Sequence, residues 1–500
     1  MGKVYLVGAG PGDPGLITVK GRQALSRADA VLYDNLAPAA LLDLAPPAAE
    51  RIYVGKMKAV RAYSQDEIVR MLIDRAREGK TVVRLKGGDP YIFGRGGEEA
   101  EALHDAGIPF EVIPGVTSPL GLAAYCGVPL THRDHTSAVT LITGHDPDRI
   151  DWQMASRSET LVVLMGLTHA AGIAAKLIAH GRSPETPAMV ARWATRPDQR
   201  SLTGTLASLP SMIEAARLKP PATIVVGEVV RLAGKLNWFE RLPLFGRQIV
   251  VTRAQGQAES LSGRLTALGA SVIEIPAIEI RPALDYAVLD EALRRLDRFD
   301  WLVFTSANGV RHFLDRLDRS PSDLRAIRAK ICAIGPATRS ALESLHLKVD
   351  VTGKEYVAES LLEAMSQYPL AGRTVLLARA AVARDTLPNT LRRQGAEVVV
   401  AEAYRTVPPE GLAERIAAVF GASPRPDWIT FTSSSTVDNF MQAAAPGVLA
   451  GVRVASIGPV TSATAGKWGI AVEAEAARFD TDGLAEAILS KGIIEQCDTP

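Results

Sequence analysis

Cysteine is scarce. Cys126, Cys332 and Cys497 are the only three in 500 residues, with no CxxC pair and no Cys/His spacing of metal-binding type. A disulfide framework and a structural zinc are thereby excluded, and a reducing compartment is implied. An excess of one charge is also missing: 56 Lys and Arg stand against 55 Asp and Glu, a net charge of +1. That balance supplies no general field for nucleic acid or an acidic membrane, so a polyanionic ligand must be met by local basic clusters. Apolar runs of about 18 residues, the length that crosses a bilayer, do not occur. The first residues, MGKVYLVGAG, enter a strand pattern at once instead of a leader pattern, so a soluble, cytoplasmic protein is expected.

What the chain does have is 42 glycines and 31 prolines, many of them set at the ends of apolar runs. The densest block is RLKGGDPYIFGRGGEE at 84 to 99, directly after Thr81-Val82-Val83. It reads as a strand running into a loop that a ligand approaches closely: Gly87 and Gly88 clear side chains from the backbone, and Asp89-Pro90 stiffens the turn. GAGPGDPG at 8 to 15, PGVTS at 114 to 118, PLTHR at 129 to 133 and MGL at 165 to 167 follow at the intervals of strand-loop-helix units. The first of these is a poor dinucleotide loop, because Asp13 stands where GxGxxG needs a small residue and Pro11 and Pro14 disturb the helix start.

Strand-like and helix-like segments alternate along the whole chain, the mark of an α/β protein. Its length predicts about three compact units. The pattern restarts at GRQIVVTR, 246 to 253, after an aromatic patch with Trp238 and Phe239 and the punctuation of Pro243 and Gly246. We therefore expect domains at 1–243 and 247–500. The second half carries an internal repeat. VVTRAQGQ at 250 is echoed by LLARAAVA at 376, placing Arg253 opposite Arg379; WLVFTSANGV at 301 recurs as WITFTSSSTV at 428, and ICAIGPAT at 331 as VASIGPVT at 454. Preserved order and spacing imply two similar α/β lobes, which we expect to face one another across a ligand-binding cleft.

The glycine blocks of the first half together resemble the uroporphyrinogen-III C-methyltransferases, a branch of the tetrapyrrole methylases that use S-adenosylmethionine. TSANGV, IGPAT, AYRT, TSSSTV and IGPVT of the second half resemble uroporphyrinogen-III synthase. The resemblance implies a two-subdomain α/β methylase followed by a two-lobed synthase, with lobes at about 247–280 plus 407–500 and at 283–403, and connectors near Ile280 and Tyr404. It implies a cofactor pocket of Pro11, Gly87, Gly88, Asp89, Ile92, Thr117, Ser118, Met165, Ala194 and Ala222. At Ala194 this sequence departs from the glycine often found there.

By the same resemblance Asp34 is the proton acceptor and Lys56 the proton donor. Read from residue type alone, Asp34 caps a turn and Lys56 is a solvated surface charge. Arg84, Lys86, Arg95, His132 and Arg133 are candidates for the substrate carboxylates. The alternatives are pairing with Asp89, Glu98 or Glu99 and, for His132, a core or capping role. In the second half Ser306, Thr338, Ser434 and Thr461 offer donors to carboxylates or serve as helix N-caps. Tyr404 assists departure of a hydroxyl or packs in a connector. The implied activity is cyclisation of hydroxymethylbilane with inversion of ring D, then methylation at C-2 and C-7 to precorrin-2, which feeds sirohaem or cobalamin. No metal, nucleic acid or membrane partner is expected, and the methylase half implies a homodimer. The competing reading is a methylase of a later precorrin carrying a tetrapyrrole-binding or regulatory module.

Overall fold

The structure, a computed structural model, describes residues 2–55, 63–254, 256, 258–353 and 358–497. The chain divides into two compact units, 1–247 with 266–271 and 248–265 with 272–500.

The first unit begins with strands β1 (Lys3–Gly8), β2 (Ala30–Tyr33), β3 (Glu50–Tyr53), β4 (Thr81–Lys86) and β5 (Phe110–Ile113). They form an all-parallel sheet in the order β3-β2-β4-β1-β5. Helices cover both faces of such a sheet, so its central strands are mainly apolar, with Arg84 and Lys86 at the end of β4 as buried exceptions. Val4, Leu6 and Val7 in β1 and Val82, Val83 and Leu85 in β4 are all fully buried. The consequence for function is topological. Because β1 lies between β4 and β5, the loops leaving the carboxyl ends of all three strands meet, and these are the loops at 8–15, 87–95 and 114–118.

A second sheet follows, with β6 (Val139–Thr143), β7 (Thr160–Leu164), β8 (Pro187–Arg192), β9 (Arg200–Thr205) and β10 (Ala222–Val226) in the order β6-β7-β10-β8-β9. Since β10 runs antiparallel to β7 and β8, its first residues sit beside the ends of those strands. Met165, Ala194 and Ala222 thereby come to one edge.

The second unit holds β11 (Gln248–Val251), β12 (Ser271–Glu274), β13 (Glu279–Pro282), β14 (Trp301–Phe304), β15 (Lys330–Ala333), β16 (Val351–Thr352), β17 (Thr374–Ala380), β18 (Glu397–Val407), β19 (Trp428–Phe431), β20 (Arg453–Ser456) and β21 (Ala474–Glu475). One sheet is ordered β12-β11-β19-β20-β21 and the other β13-β18-β17-β14-β15-β16. The repeat is visible in the packing. WLVF of β14 and WITF of β19 are buried at every position, and each is flanked by the parallel strands that the repeat predicts, β17 and β15 in one sheet and β11 and β20 in the other. Phe304 packs edge-to-face on Phe313, and its counterpart Phe431 packs likewise on Phe440. Where chain passes between the two sheets, β13 and β18 form an antiparallel ladder that pairs Pro282 with Tyr404 and Ile280 with Thr406.

Candidate active sites

In the first unit the three strand-end loops interlock through backbone. Gly10 and Gly88 exchange hydrogen bonds, the Gly88 amide donating to the Gly10 carbonyl at 2.7 Å and the Gly10 amide to Gly88 at 3.2 Å. A Cβ on Gly8 would stand 2.5 Å from the Cα of Gly115, so neither loop tolerates a side chain at that crossing. Gly88 has φ of +69°, a conformation that disfavours other residues. Asp89 fixes the arrangement, one carboxylate oxygen accepting from the Tyr91 amide at 2.8 Å and the other from Gly115 at 3.0 Å.

Above these loops lies a cavity of about 480 Å³. All ten residues expected to hold the cofactor line it: Pro11, Gly87, Gly88, Asp89, Ile92, Thr117, Ser118, Met165, Ala194 and Ala222. Asp34, Arg84, Lys86 and Arg95 line it too. Backbone strain collects here. Of the seven described non-glycine residues with positive φ, four, Phe93, Arg95, Met165 and Trp193, are on this wall. Thr117 is on this wall, and its hydroxyl is buried with no hydrogen-bond partner among the described residues.

The basic candidates separate into two kinds. Arg84 and Lys86 occupy the buried end of β4, their side chains only 6% and 5% exposed. Two buried cations demand a buried anion, and Glu99, fully enclosed in the helix Gly96–Asp105, supplies it. Its Oε1 accepts from Lys86 Nζ at 2.8 Å, Gln65 Nε2 at 3.0 Å and Arg84 Nε at 3.3 Å. Burial, reinforced by the Arg84 charge, pulls the Lys86 ammonium below its usual range, while Glu99 opposes that shift. Arg84 also reaches Asp34 at 3.1 Å. The other Asp34 oxygen accepts from the Leu36 amide at 3.0 Å, so this residue both caps a turn and faces the cavity. Arg95 is exposed and forms a forked pair with Glu98 at 2.7 and 2.9 Å.

His132 and Arg133 do not line the cavity. The chain turns back on itself here: His132 pairs with Thr136, its Nδ1 accepts from the Asp134 amide at 3.2 Å, and its ring lies 4.8 Å from that of His135. Its capping alternative is the one the geometry meets. Lys56 lies outside the described residues. Sequence reasoning overlooked Gln65, Trp193 and Phe93 in the wall, and treated Glu99 only as a possible pairing partner. The signal for Glu99 was the Arg-Leu-Lys alternation inside an otherwise apolar strand.

In the second unit Ser306 caps the helix Ala307–Leu317, accepting from Gly309 at 2.9 Å, and its hydroxyl lies 2.9 Å from that of Tyr404. Tyr404 is buried and stacks on His312, and burial raises its phenol above the usual range. The other three hydroxyls are not helix caps. Ser433 takes that place ahead of Ser434, and Gly335 and Gly458 take it ahead of Thr338 and Thr461. A proline at the first helical position has no N–H and so needs no acceptor, and the extended glycine before it leaves both threonines inside the first turn, where they are buried. Ser434 instead accepts from Thr464 at 2.8 Å.

Among the described residues no group of His, Cys, Asp and Glu is arranged to hold a metal, and no helix is long and apolar enough to cross a membrane. Residues 3–210 match the family model of tetrapyrrole (corrin/porphyrin) methylases, and residues 259–486 that of uroporphyrinogen-III synthase HemD. The porphyrin biosynthesis protein HemD of Ruminiclostridium josui is 36% identical over 489 residues, 96% of each chain. The uroporphyrinogen-III C-methyltransferase of Bacillus subtilis is 41% identical over 348 residues, covering 68% of this chain and 71% of its own. A crystal structure of uroporphyrin-III C-methyl transferase from Thermus thermophilus, complexed with S-adenyl homocysteine, is 44% identical; the match covers 46% of this chain and 99% of that one at a TM-score of 0.41. With both family models matched in order and a relative aligned nearly end to end, the chain belongs to the family that joins a tetrapyrrole methylase of the uroporphyrinogen-III C-methyltransferase kind to a uroporphyrinogen-III synthase.

Proposed function

We propose that residues 247–500 cyclise hydroxymethylbilane to uroporphyrinogen III with inversion of ring D, and that residues 1–243 methylate this product at C-2 and C-7 to give precorrin-2. The observation that carries the methylase reading is the gathering around one 480 Å³ cavity of the ten residues that the resemblance implies for the cofactor. S-adenosylmethionine fits that cavity chemically, since it needs backbone groups and an apolar wall instead of a phosphate cradle: the glycine loops supply bare backbone, and Ile92, Met165, Ala194 and Ala222 supply the apolar wall. When bound it supplies the methyl group on a sulfonium.

The chain's own groups do the rest. The cavity holds the acceptor carbon in line with the methyl group. Asp34, oriented by the Leu36 amide and by Arg84, takes the proton that the ring releases. Lys56 is the donor in this scheme. Arg95 and Arg133 are exposed and bind substrate carboxylates, whereas Arg84 and Lys86 set the charge beneath the site. In the synthase half the substrate is already reactive, so orientation is the main demand, and the Tyr404 hydroxyl assists loss of water. The protein acts in the cytoplasm as a homodimer formed through its methylase half.

Mass spectrometry of products from purified protein given hydroxymethylbilane, with and without S-adenosylmethionine, tests the whole scheme. Uroporphyrinogen III alone without the donor and a dimethylated product with it are expected. Only the type I isomer, or a single methyl group, overturns the corresponding half.

A further inference from the structure

The repeat in the second unit leaves one identity unexplained. Between VVTRAQGQAESLSGRLTALGASV and LLARAAVARDTLPNTLRRQGAEV the retained residues are an Arg, two alanines, two leucines, a glycine and a valine. Packing accounts for the leucines, since Leu261, Leu265, Leu387 and Leu391 are all buried. A left-handed turn accounts for the glycines, with φ of +95° at Gly269 and +85° at Gly395. Arg253 and Arg379 make the only charged identity, and neither is a surface ion pair of the ordinary kind.

Arg253 follows the carboxyl end of β11, beside the Thr252 hydroxyl that donates to Thr430 of β19 at 2.7 Å. It is half-buried, and burial alone lowers its proton affinity, with no carboxylate among the described residues to offset the cost. Arg379 stands at the corresponding end of β17, at the register shift between Arg379 and Ala380 that re-aims side chains. Its side chain is 11% exposed; one Nη reaches Asp385, itself 66% exposed, at 2.7 Å, the other donates to the Arg384 carbonyl at 3.0 Å, and its Nε is buried without a partner among the described residues. Both therefore lie at the carboxyl edge of a parallel sheet, where α/β proteins bind ligands, and both hold desolvated donors without a complete set of acceptors.

We propose that Arg253 and Arg379 are the paired carboxylate anchors of the synthase half, each lobe holding one carboxylate-bearing end of the linear tetrapyrrole by a forked guanidinium. This rests on the synthase reading above and adds to it the residues that grip the substrate. Repetition makes chemical sense: a substrate carrying acetate and propionate groups along its length is held bent when two equivalent sites take separate carboxylates. Arg253, with no carboxylate partner among the described residues, carries the larger share, whereas Arg379 exchanges Asp385 for the ligand.

The test uses the full chain with Arg253→Gln, Arg253→Lys and Arg379→Gln, measuring hydroxymethylbilane turnover and, in the same preparations, methylation of added uroporphyrinogen III. We expect KM for hydroxymethylbilane to rise roughly tenfold or more in Arg253→Gln, as loss of a charged hydrogen-bond pair implies. A smaller rise is expected in Arg379→Gln and an intermediate one in Arg253→Lys, which keeps the charge and loses the fork. Methylation of added substrate stays at the unsubstituted level and reports on the first unit, while an unchanged unfolding midpoint of the second unit, followed by circular dichroism, reports that the substituted half is folded. Should Arg253→Gln not fold, Arg253→Lys and Arg379→Gln decide alone. A KM within twofold of the unsubstituted chain in the folded variants overturns the proposal, as does a fall in kcat at constant KM. Failure of the unsubstituted chain to turn over hydroxymethylbilane overturns the synthase reading instead.

Discussion

In the first half every assigned cofactor residue converges on one cavity, while in the second the matched residues are dealt out to the ends of two separate sheets. The reactions ask for different things. Methyl transfer succeeds only when donor and acceptor are held in line, which calls for an enclosed pocket with fixed backbone. Ring closure of a reactive linear molecule asks that its ends be brought together, which a duplicated scaffold does with few special groups. The contrast predicts that substitutions in the first half should be severe and local, and those in the second graded and shared.

The sharpest blow to that contrast concerns Gly88. A valine there must adopt φ near +69° and would project beside Thr117 and Ser118. We expect Gly88→Val to lower S-adenosylmethionine affinity by about a hundredfold or more by calorimetry, with synthase turnover intact. Unchanged affinity returns the loop to a structural turn. Next comes Asp34→Asn, which keeps the Leu36 cap but removes the base. Methyl transfer at saturation should fall about 10²-fold, the scale of a lost general base, with cofactor affinity held within a few fold. Weakened binding with normal saturated turnover sinks the assignment.

Smaller effects are expected in the second half. Tyr404→Phe removes a hydroxyl whose hydrogen-bond partner is Ser306, and Ser306 keeps its helix cap. Synthase kcat should drop several-fold and stability by about 1 kcal/mol in denaturant unfolding. Loss of stability without loss of kcat makes Tyr404 connector packing. Smallest is the effect of separation. Fragments cut near residue 244 should each keep their reaction and, mixed at low concentration, form precorrin-2 after a longer lag, because a short tether supplies a local concentration near the millimolar range. An equal lag means the fusion secures co-expression only.

The cavity of the first unit was legible because its signals are local. A strand followed by glycines at 87 and 88 or by Pro-Gly at 114 and 115 says where a loop must be bare, and parallel topology brings the loops together. Glu99 was harder, since its role depends on Arg84 and Lys86 fifteen and thirteen residues away being buried rather than solvated. Of the two readings open for Thr338 and Thr461, the cap reading fails because Gly335-Pro336 and Gly458-Pro459 put each cap, the glycine, three residues before the threonine. For His132 the sequence leaves a substrate role and a capping one open, and the tight turn back to Thr136, in which its Nδ1 accepts from Asp134, is a local feature that sequence neighbours do not announce.

The reach of the cavity wall has a bearing on when this protein becomes competent. Pro11 and Ala222 stand on the same wall more than two hundred residues apart in the chain. A ribosome must therefore deliver nearly the whole first unit before any occupant has a complete seat. Contacts so distant in sequence form slowly, and a molecule that binds only the finished wall shifts the folding balance toward it in proportion to its concentration. The metabolic supply of the methyl donor thus becomes a determinant of how much folded enzyme a cell retains, and protease resistance of the first unit should track that supply.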